Sequence, residues 1–296
     1  MRSDEAVGKN NVHRTIRKRA TLRSDALRGL CLAGAALLLA ACAGNTDPPL
    51  ENFTPKEIYD RAEFELQSGD LEESARFFGE VERLYPYSEW AKRALIMQAF
   101  ALHRDRNYEE SRAAAQRYID FYPADEDAAY AQYLLALSYY DQIDEVGRDQ
   151  GVTFQALQAL RQVIERYPDS EYARSSILKF DLAFDHLAGK EMEIGRYYLK
   201  RGHYAAAAAR FRVVVEDFQT TSHTPEALHR LVEAYLSLGL TGEAQTAGAI
   251  LGYNYRGTTW YDDSFTLLTG QGLLLEPASE GWLRSIWRQS VRGRWL

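Results

Sequence analysis

The chain has 296 residues, of which 46% are hydrophobic and 26% charged, with a net charge of −7; this is ordinary globular composition and excludes a disordered or collagen-like chain. Aromatic residues make up 12%, mostly 19 Tyr, while 20 Gly and 8 Pro are too few for a turn-dense β-sandwich, so a helix-rich protein is predicted. Two cysteines allow one disulfide at most, and a cysteine-based zinc site would have to borrow ligands from six scattered histidines.

Residues 1–29 carry Arg14, Arg17, Lys18, Arg19, Arg23 and Arg28 and lead into an apolar run from Leu30 to Ala41. A basic flank followed by about twelve apolar residues has the proportions of a signal peptide and is too short to span a hydrocarbon core roughly 30 Å thick. The run ends in Leu39-Ala40-Ala41-Cys42, which resembles the bacterial lipobox, where small residues admit the signal peptidase and the cysteine thiol accepts diacylglycerol before cleavage. Residues 1–41 are therefore predicted to be a lipoprotein signal peptide and Cys42 the lipidated first residue of the mature chain. No cofactor is expected beyond the diacylglycerol and N-acyl chains on Cys42. In lipoproteins of this kind the residue after the cysteine directs sorting, and Ala43, where Asp would favour retention at the inner membrane, implies the periplasmic face of the outer membrane. The basic region is longer than such a signal needs, which fits a start codon further downstream.

Cleavage removes eight Lys/Arg and three Asp/Glu and leaves 27 positive and 39 negative side chains, a net charge of −12 that argues against nucleic acid as a partner. Cys31 leaves with the signal and lipidation consumes Cys42, so neither a free thiol nor a disulfide remains and packing must stabilise the fold. With no later run of 18 or more apolar residues, the protein is expected to be tethered by lipid and not inserted.

Residues 42–53 read as a Pro/Asn/Asp-rich tether. Order is predicted to begin at Thr54-Pro55-Lys56-Glu57, where Thr caps, Pro fits the first helical turn and Glu closes a capping box; the same start recurs at Thr224-Pro225-Glu226. Beyond it the chain repeats itself. Tyr85-Pro86-Tyr87-Ser88-Glu89-Trp90-Ala91, Tyr122-Pro123-Ala124-Asp125-Glu126-Asp127-Ala128 and Tyr167-Pro168-Asp169-Ser170-Glu171-Tyr172-Ala173 each read as a joint: Pro stops one helix, Ser or Asp caps the next, and Glu sits against the new helix dipole.

Upstream of each joint the same helical spacing recurs, as Ser74/Phe78/Val81, Ser111/Ala115/Tyr118 and Ala156/Leu160/Val163. The small residue lets two helices approach and the larger ones fill the seam. A fourth copy lacks the proline but keeps Gly195 to Tyr204 followed by Ala207, Phe211 and Val214, and a fifth uses Tyr235, Gly239, Ala244 and Leu251. Pro86 and Pro123 are 37 residues apart, whereas Pro168 follows Pro123 by 45 because an insertion, Asp141 to Thr153, lengthens one turn.

This period, two helices per unit and the alternation of small and aromatic residues resemble the tetratricopeptide repeat. The resemblance predicts an all-α, right-handed α-solenoid of about five helix-turn-helix units over residues 54–275, in which stacking supplies the core that no unit could bury alone and a concave, Tyr-rich groove suits peptide binding.

A lipobox joined to five such units is similar to the BamD family, lipoproteins of the outer-membrane β-barrel assembly machinery. The likeness is carried by Ile58-Tyr59, the Tyr-Pro joints, the block Gly195 to Tyr204, the stretch Thr220 to Tyr235 and Tyr261-Asp262-Asp263-Ser264. It implies a non-enzymatic scaffold that docks through its C-terminal repeats on the POTRA region of a BamA-like barrel protein, assembles with other Bam lipoproteins, and receives the C-terminal signals of unfolded outer-membrane proteins at its N-terminal repeats. Arg210 matches the family arginine that pairs with a carboxylate of the barrel subunit, a task its fork suits, although pairing within the repeat is the plain alternative. Tyr197, Tyr198 and Arg201 belong to the same docking block. Tyr85 and Tyr59 match the end that receives strand-like signals terminating in an aromatic residue; a packed joint residue is the alternative for Tyr85.

Residues 276–296 form a basic amphipathic tail. Trp282, Leu283, Ile286 and Trp287 share one helical face, and Arg284, Arg288, Arg292 and Arg294 make the segment cationic in an acidic protein. Such a tail suits lipid headgroups, a partner, or the apolar end of the solenoid. Enzymes are disfavoured: no His-Glu-x-x-His pair, Gly-x-Ser-x-Gly elbow or phosphate loop occurs, and the acidic run Lys190-Glu191-Met192-Glu193 lacks the additional domain that would shape a pocket around catalytic carboxylates. The competing reading is another repeat lipoprotein, a secretin pilotin or a peptidoglycan-associated division scaffold, which fold alone does not separate.

Overall fold

The computed structural model describes residues 49–274. The signal peptide, Cys42 and the tail 276–296 lie outside the described residues. The chain divides into two compact units between Phe53 and Thr54. In the described part of the first, Leu50–Asn52 form one 3-10 turn.

From Thr54 the second unit is helical, with eleven α-helices among the described residues: α1 (Pro55–Ser68), α2 (Leu71–Leu84), α3 (Glu89–Arg104), α4 (Tyr108–Phe121), α5 (Ala128–Tyr140), α6 (Gly151–Arg166), α7 (Glu171–Lys200), α8 (Tyr204–Asp217), α9 (Thr224–Ser237), α10 (Thr241–Asn254) and α11 (Thr259–Gly270). Every helix packs on its neighbours in sequence, and the first helices of successive pairs also touch, α1 on α3, α3 on α5, α5 on α7 and α9 on α11. Five helix pairs and one closing helix thus stack as an all-helical solenoid of the tetratricopeptide type.

The seam of each pair is the spacing read from the sequence. Ser74, Phe78 and Val81 on α2, Ser111, Ala115 and Tyr118 on α4, Ala156, Leu160 and Val163 on α6, and Ala207, Phe211 and Val214 on α8 are all completely buried, as are Ala244 and Leu251 on α10. Emptying such a site, Phe78→Ala for example, costs about 3–5 kcal/mol. In the first two pairs the small residue also bonds: Ser74 Oγ donates to the Ala62 carbonyl (2.9 Å) and Ser111 Oγ to the Ala99 carbonyl (2.8 Å). These are the same contact displaced by one repeat.

The joints share one backbone rule. Tyr85, Tyr122, Tyr167, Phe218 and Tyr255 each end a second helix, donating their N–H to the carbonyl four residues back, and each accepts at its own carbonyl from the N–H three residues on. Phe218 and Tyr255 have no proline after them, which is why the sequence marks only three joints. Ser88, Ser170 and Thr258 cap the following helices, accepting from the N–H groups of Ala91, Ala173 and Tyr261.

Three expectations are corrected in detail. Asp125 does not cap α5, which starts after Asp127. Its carboxylate instead gathers Tyr118 O–H (2.7 Å), Lys92 Nζ (2.7 Å) and the Asp127 N–H (3.1 Å), and these donors lower its pKa to about 2. Thr224 does not repeat the capping box that Thr54 and Glu57 form on α1. Its hydroxyl turns back to donate to the Phe218 and Gln219 carbonyls, so it closes the joint in place of the helix end. The insertion ends at Gln150, because Gly151 to Thr153 already belong to α6 and Thr153 is buried.

Candidate functional site

The block expected from the sequence to dock lies at the end of α7, a 30-residue helix about 45 Å long that no proline or left-handed glycine interrupts before Gly202. Its glycines serve close packing. A Cβ on Gly195 would stand 2.4 Å from Cε1 of Phe211, so Gly195 lets the buried Phe211 ring of α8 lie flat on α7.

The block divides into two faces. Tyr198 is half-buried against the core that also holds Met192, Ala207 and Phe211, whereas Tyr197 is 51% exposed. The two rings meet edge to face at 5.6 Å, and the Arg201 guanidinium lies 4.2 Å from the Tyr197 ring centre. An exposed cation–π pair beside an anchored tyrosine offers both an apolar plate and fixed donors to a polypeptide partner. Gly202, with φ +75°, then turns the chain so that the His203 N–H reaches the Tyr198 carbonyl at 3.0 Å.

Arg210 is placed apart from the Tyr197–Arg201 plate. Its Nη1 donates to Oε2 of Glu191 on α7 at 3.1 Å, and the arginine side chain remains 43% exposed. Glu191 and Tyr198, seven residues apart, share one face of α7 two turns from each other. The arginine is thus paired within its own repeat through Nη1. A half-exposed pair of this kind contributes about 0–1 kcal/mol to the fold, so exchanging Glu191 for another carboxylate would cost little.

At the opposite end, the structure buries Tyr59 between Phe78 (5.2 Å) and Trp90 (5.0 Å), and this burial raises its pKa. Tyr85 is half-buried at the first joint, and Tyr87, which the sequence reading did not single out, is fully exposed. Trp90 lies under two cations, Lys56 Nζ at 5.5 Å and the Arg93 guanidinium at 5.4 Å. Tyr87 therefore presents exposed aromatic surface here, next to a part-buried Trp90 that packs on Tyr59. A further trio, Tyr130, Tyr133 and Tyr172, joins α5 to the start of α7, and burial pushes the Tyr130 hydroxyl up to about 12. The signal that could have found these residues is repeat register: Trp90 and Tyr172 both sit two residues beyond the serine caps at Ser88 and Ser170.

Among the described residues, no cluster of three or more His, Cys, Asp or Glu is arranged to hold a metal ion, and no helix is long and apolar enough to cross a membrane. What these surfaces can do chemically is bind other polypeptides.

A stacked helical-repeat body with exposed aromatic and arginine plates at both ends defines a protein-binding scaffold of the tetratricopeptide class. Residues 51–250 match the family YfiO, described as outer membrane lipoprotein. The chain is 47% identical to outer membrane protein assembly factor BamD of Caulobacter vibrioides, over 83% of this chain and 84% of that one. It is 40% identical to BamD of Rickettsia prowazekii (78% and 92% covered) and 29% identical to BamD of Neisseria meningitidis serogroup A (74% and 88%). The chain belongs to the BamD family of outer-membrane lipoproteins.

Proposed function

We propose that this lipoprotein is a non-enzymatic scaffold and receptor of the β-barrel assembly complex, anchored through lipid on Cys42, with residues 54–275 as its working solenoid. Its fourth repeat docks on the POTRA region of a BamA-like barrel protein through Arg210, Tyr197, Tyr198 and Arg201. Its first repeats receive the C-terminal signals of unfolded outer-membrane proteins, with Tyr85 beside the exposed Tyr87 and the part-buried Trp90, and Tyr59 holding Trp90 in place. The reading is carried by the extent of the BamD match: the family model spans residues 51–250, and the Caulobacter relative is 47% identical over 83% of this chain.

The chemistry supports a relay. An aromatic plate flanked by cations takes up an aromatic-terminated strand with a free carboxylate without needing a deep pocket, and shallow capture is readily reversed. Docking through an arginine already half-neutralised by Glu191 avoids stranding a bare charge when the partner leaves. The test is affinity purification from detergent-solubilised membranes. Recovery of the POTRA-bearing barrel protein supports this function, and recovery of a secretin in its place supports the pilotin reading.

A further inference from the structure

Six basic side chains lie between Thr54 and Ala94: Lys56, Arg61, Arg76, Arg83, Lys92 and Arg93. Five of them are already matched to a carboxylate, Lys56 to Asp60, Arg61 to Glu65, Arg76 to Glu73, Arg83 to Glu80 and Lys92 to Asp125. Arg93 is the exception. It stands exposed on α3 and, among the described residues, forms neither an ion pair nor a side-chain hydrogen bond.

What holds Arg93 is a ring. Its guanidinium lies 5.4 Å from the ring centre of Trp90, three residues earlier on the same helix face, and that indole is in turn fixed 5.0 Å from the buried Tyr59. Lys56 approaches the same indole from α1 at 5.5 Å, but its ammonium is spent on both oxygens of Asp60, at 2.6 and 2.9 Å. Trp90 therefore carries one engaged cation and one unengaged one. A cation–π contact restrains an arginine without using any of its N–H donors, so the fork stays open to a carboxylate, which it can grip through two parallel bonds. The fully exposed Tyr87 stands in the joint that leads into this helix.

We propose that Arg93 binds the terminal carboxylate of an outer-membrane client, its fork taking both oxygens while the client's last aromatic side chain lies against Tyr87. Arg93 has this role only if the first repeats are the client-binding end, as proposed above, and it adds to that reading the residue that sets specificity. The consequence is recognition of a chain end. An internal strand with the same side chains brings no terminal carboxylate and leaves Arg93 bare, so the first repeats distinguish the two. A single charge-assisted contact on open surface is weak and screened by salt, which suits release of the client.

The test uses the full mature protein in detergent and a short synthetic strand-forming peptide ending in phenylalanine, prepared as the free acid and as the C-terminal amide. Fluorescence anisotropy measures affinity, and a photoreactive amino acid at Tyr87 reports where the peptide sits. The acid is expected to bind at least about fivefold more tightly than the amide, with Arg93→Gln abolishing that difference and Lys56→Gln preserving it. Arg93→Lys, which keeps the charge but not the fork, should retain part of the preference, and this separates loss of the cation from loss of the fold. Equal affinity for acid and amide, with adducts still formed at Tyr87, overturns the role of Arg93 and leaves the client-binding reading intact. So does a preference that survives Arg93→Gln, or full recovery of affinity when a glutamate is placed inside the amidated peptide. Absence of any adduct at Tyr87 from either peptide removes the client-binding reading and the role of Arg93 with it.

Discussion

Arg210 on α8 donates to Glu191 on α7 at 3.1 Å, and the guanidinium proposed to meet a partner's carboxylate is therefore held in advance by one of its own. If docking exchanges one carboxylate for the other, the two residues have opposite effects. Arg210→Ala is expected to lower affinity for the POTRA region by roughly tenfold or more, about 1.4 kcal/mol, while changing stability by less than about 1 kcal/mol. Glu191→Gln is expected to leave affinity equal or higher. Calorimetric binding together with urea unfolding separates these effects, and a loss of affinity in Glu191→Gln would show that the internal pair itself is the recognised feature.

Gly195 and Phe211 make a second relationship with a sharp consequence. Because a methyl group on residue 195 would overlap the ring, Gly195→Ala is expected to destabilise by about 1–3 kcal/mol despite the better helix propensity of alanine. Equilibrium urea unfolding followed by helical circular dichroism checks this. An unchanged or raised midpoint would mean that the two helices can separate freely.

Arg106 occupies a left-handed turn, φ +63°, where the corresponding turns use Gly69, Gly202 and Gly239. Arg106→Gly relieves the strain of a side chain at positive φ, partly offset by greater freedom in the unfolded chain, for a net gain of about 0.5–1 kcal/mol. Gly202→Ala should move the unfolding midpoint in the opposite direction.

Acid should loosen the solenoid in two stages. His229 is buried on α9, sharing a 2.8 Å hydrogen bond with Ser264 of α11 and stacked near Trp260, with Glu233 Oε1 3.8 Å from its Nε2 and Arg230, Glu226 and Asp263 around it. Burial is the largest influence and lowers its pKa below the ordinary 6.5. The unfolded chain then takes up a proton first, so the contribution of His229 is complete above about pH 6.5 and declines as the pH falls toward the folded value. Asp125 follows: its folded pKa of about 2 lies below the ordinary 3.8, so its contribution is present above pH 3.8 and is lost as the pH falls through 2. Unfolding free energies between pH 7 and 2 are expected to show both declines. His229→Gln should flatten only the first, and Asp125→Asn only the second.

The regular part of this architecture was legible because it is local. Ser74/Phe78/Val81 and its counterparts lie within two turns of one helix, so spacing alone reveals the buried seam. The tyrosine-proline joints are likewise contiguous in sequence. What escaped depends on partners distant in the chain or on where a helix starts. Glu191 lies on a different helix from Arg210, and nothing in the run Lys190 to Glu193 announces that pairing. Asp125 and Thr224 have residue types that suit capping, but the cap position belongs to whichever residue precedes the first helical turn, and here that is Asp127 and His223. Tyr59 carries the same composition signal as Tyr87, and only the meeting of α1, α2 and α3 decides that one is buried and the other exposed. Phe218 and Tyr255 were invisible as joints to a search led by proline, although they are separated by the same 37 residues as Tyr85 and Tyr122.

The central claim is a scaffold with a subunit-binding end and a client-binding end on one solenoid, and photocrosslinking in living cells tests it most directly. A photoreactive amino acid placed at Tyr197 should yield adducts with the POTRA-bearing barrel protein, and one placed at Tyr87 should yield adducts with newly exported outer-membrane proteins. Adducts from both positions with a secretin, or no adduct with the barrel protein from Tyr197, would contradict the account.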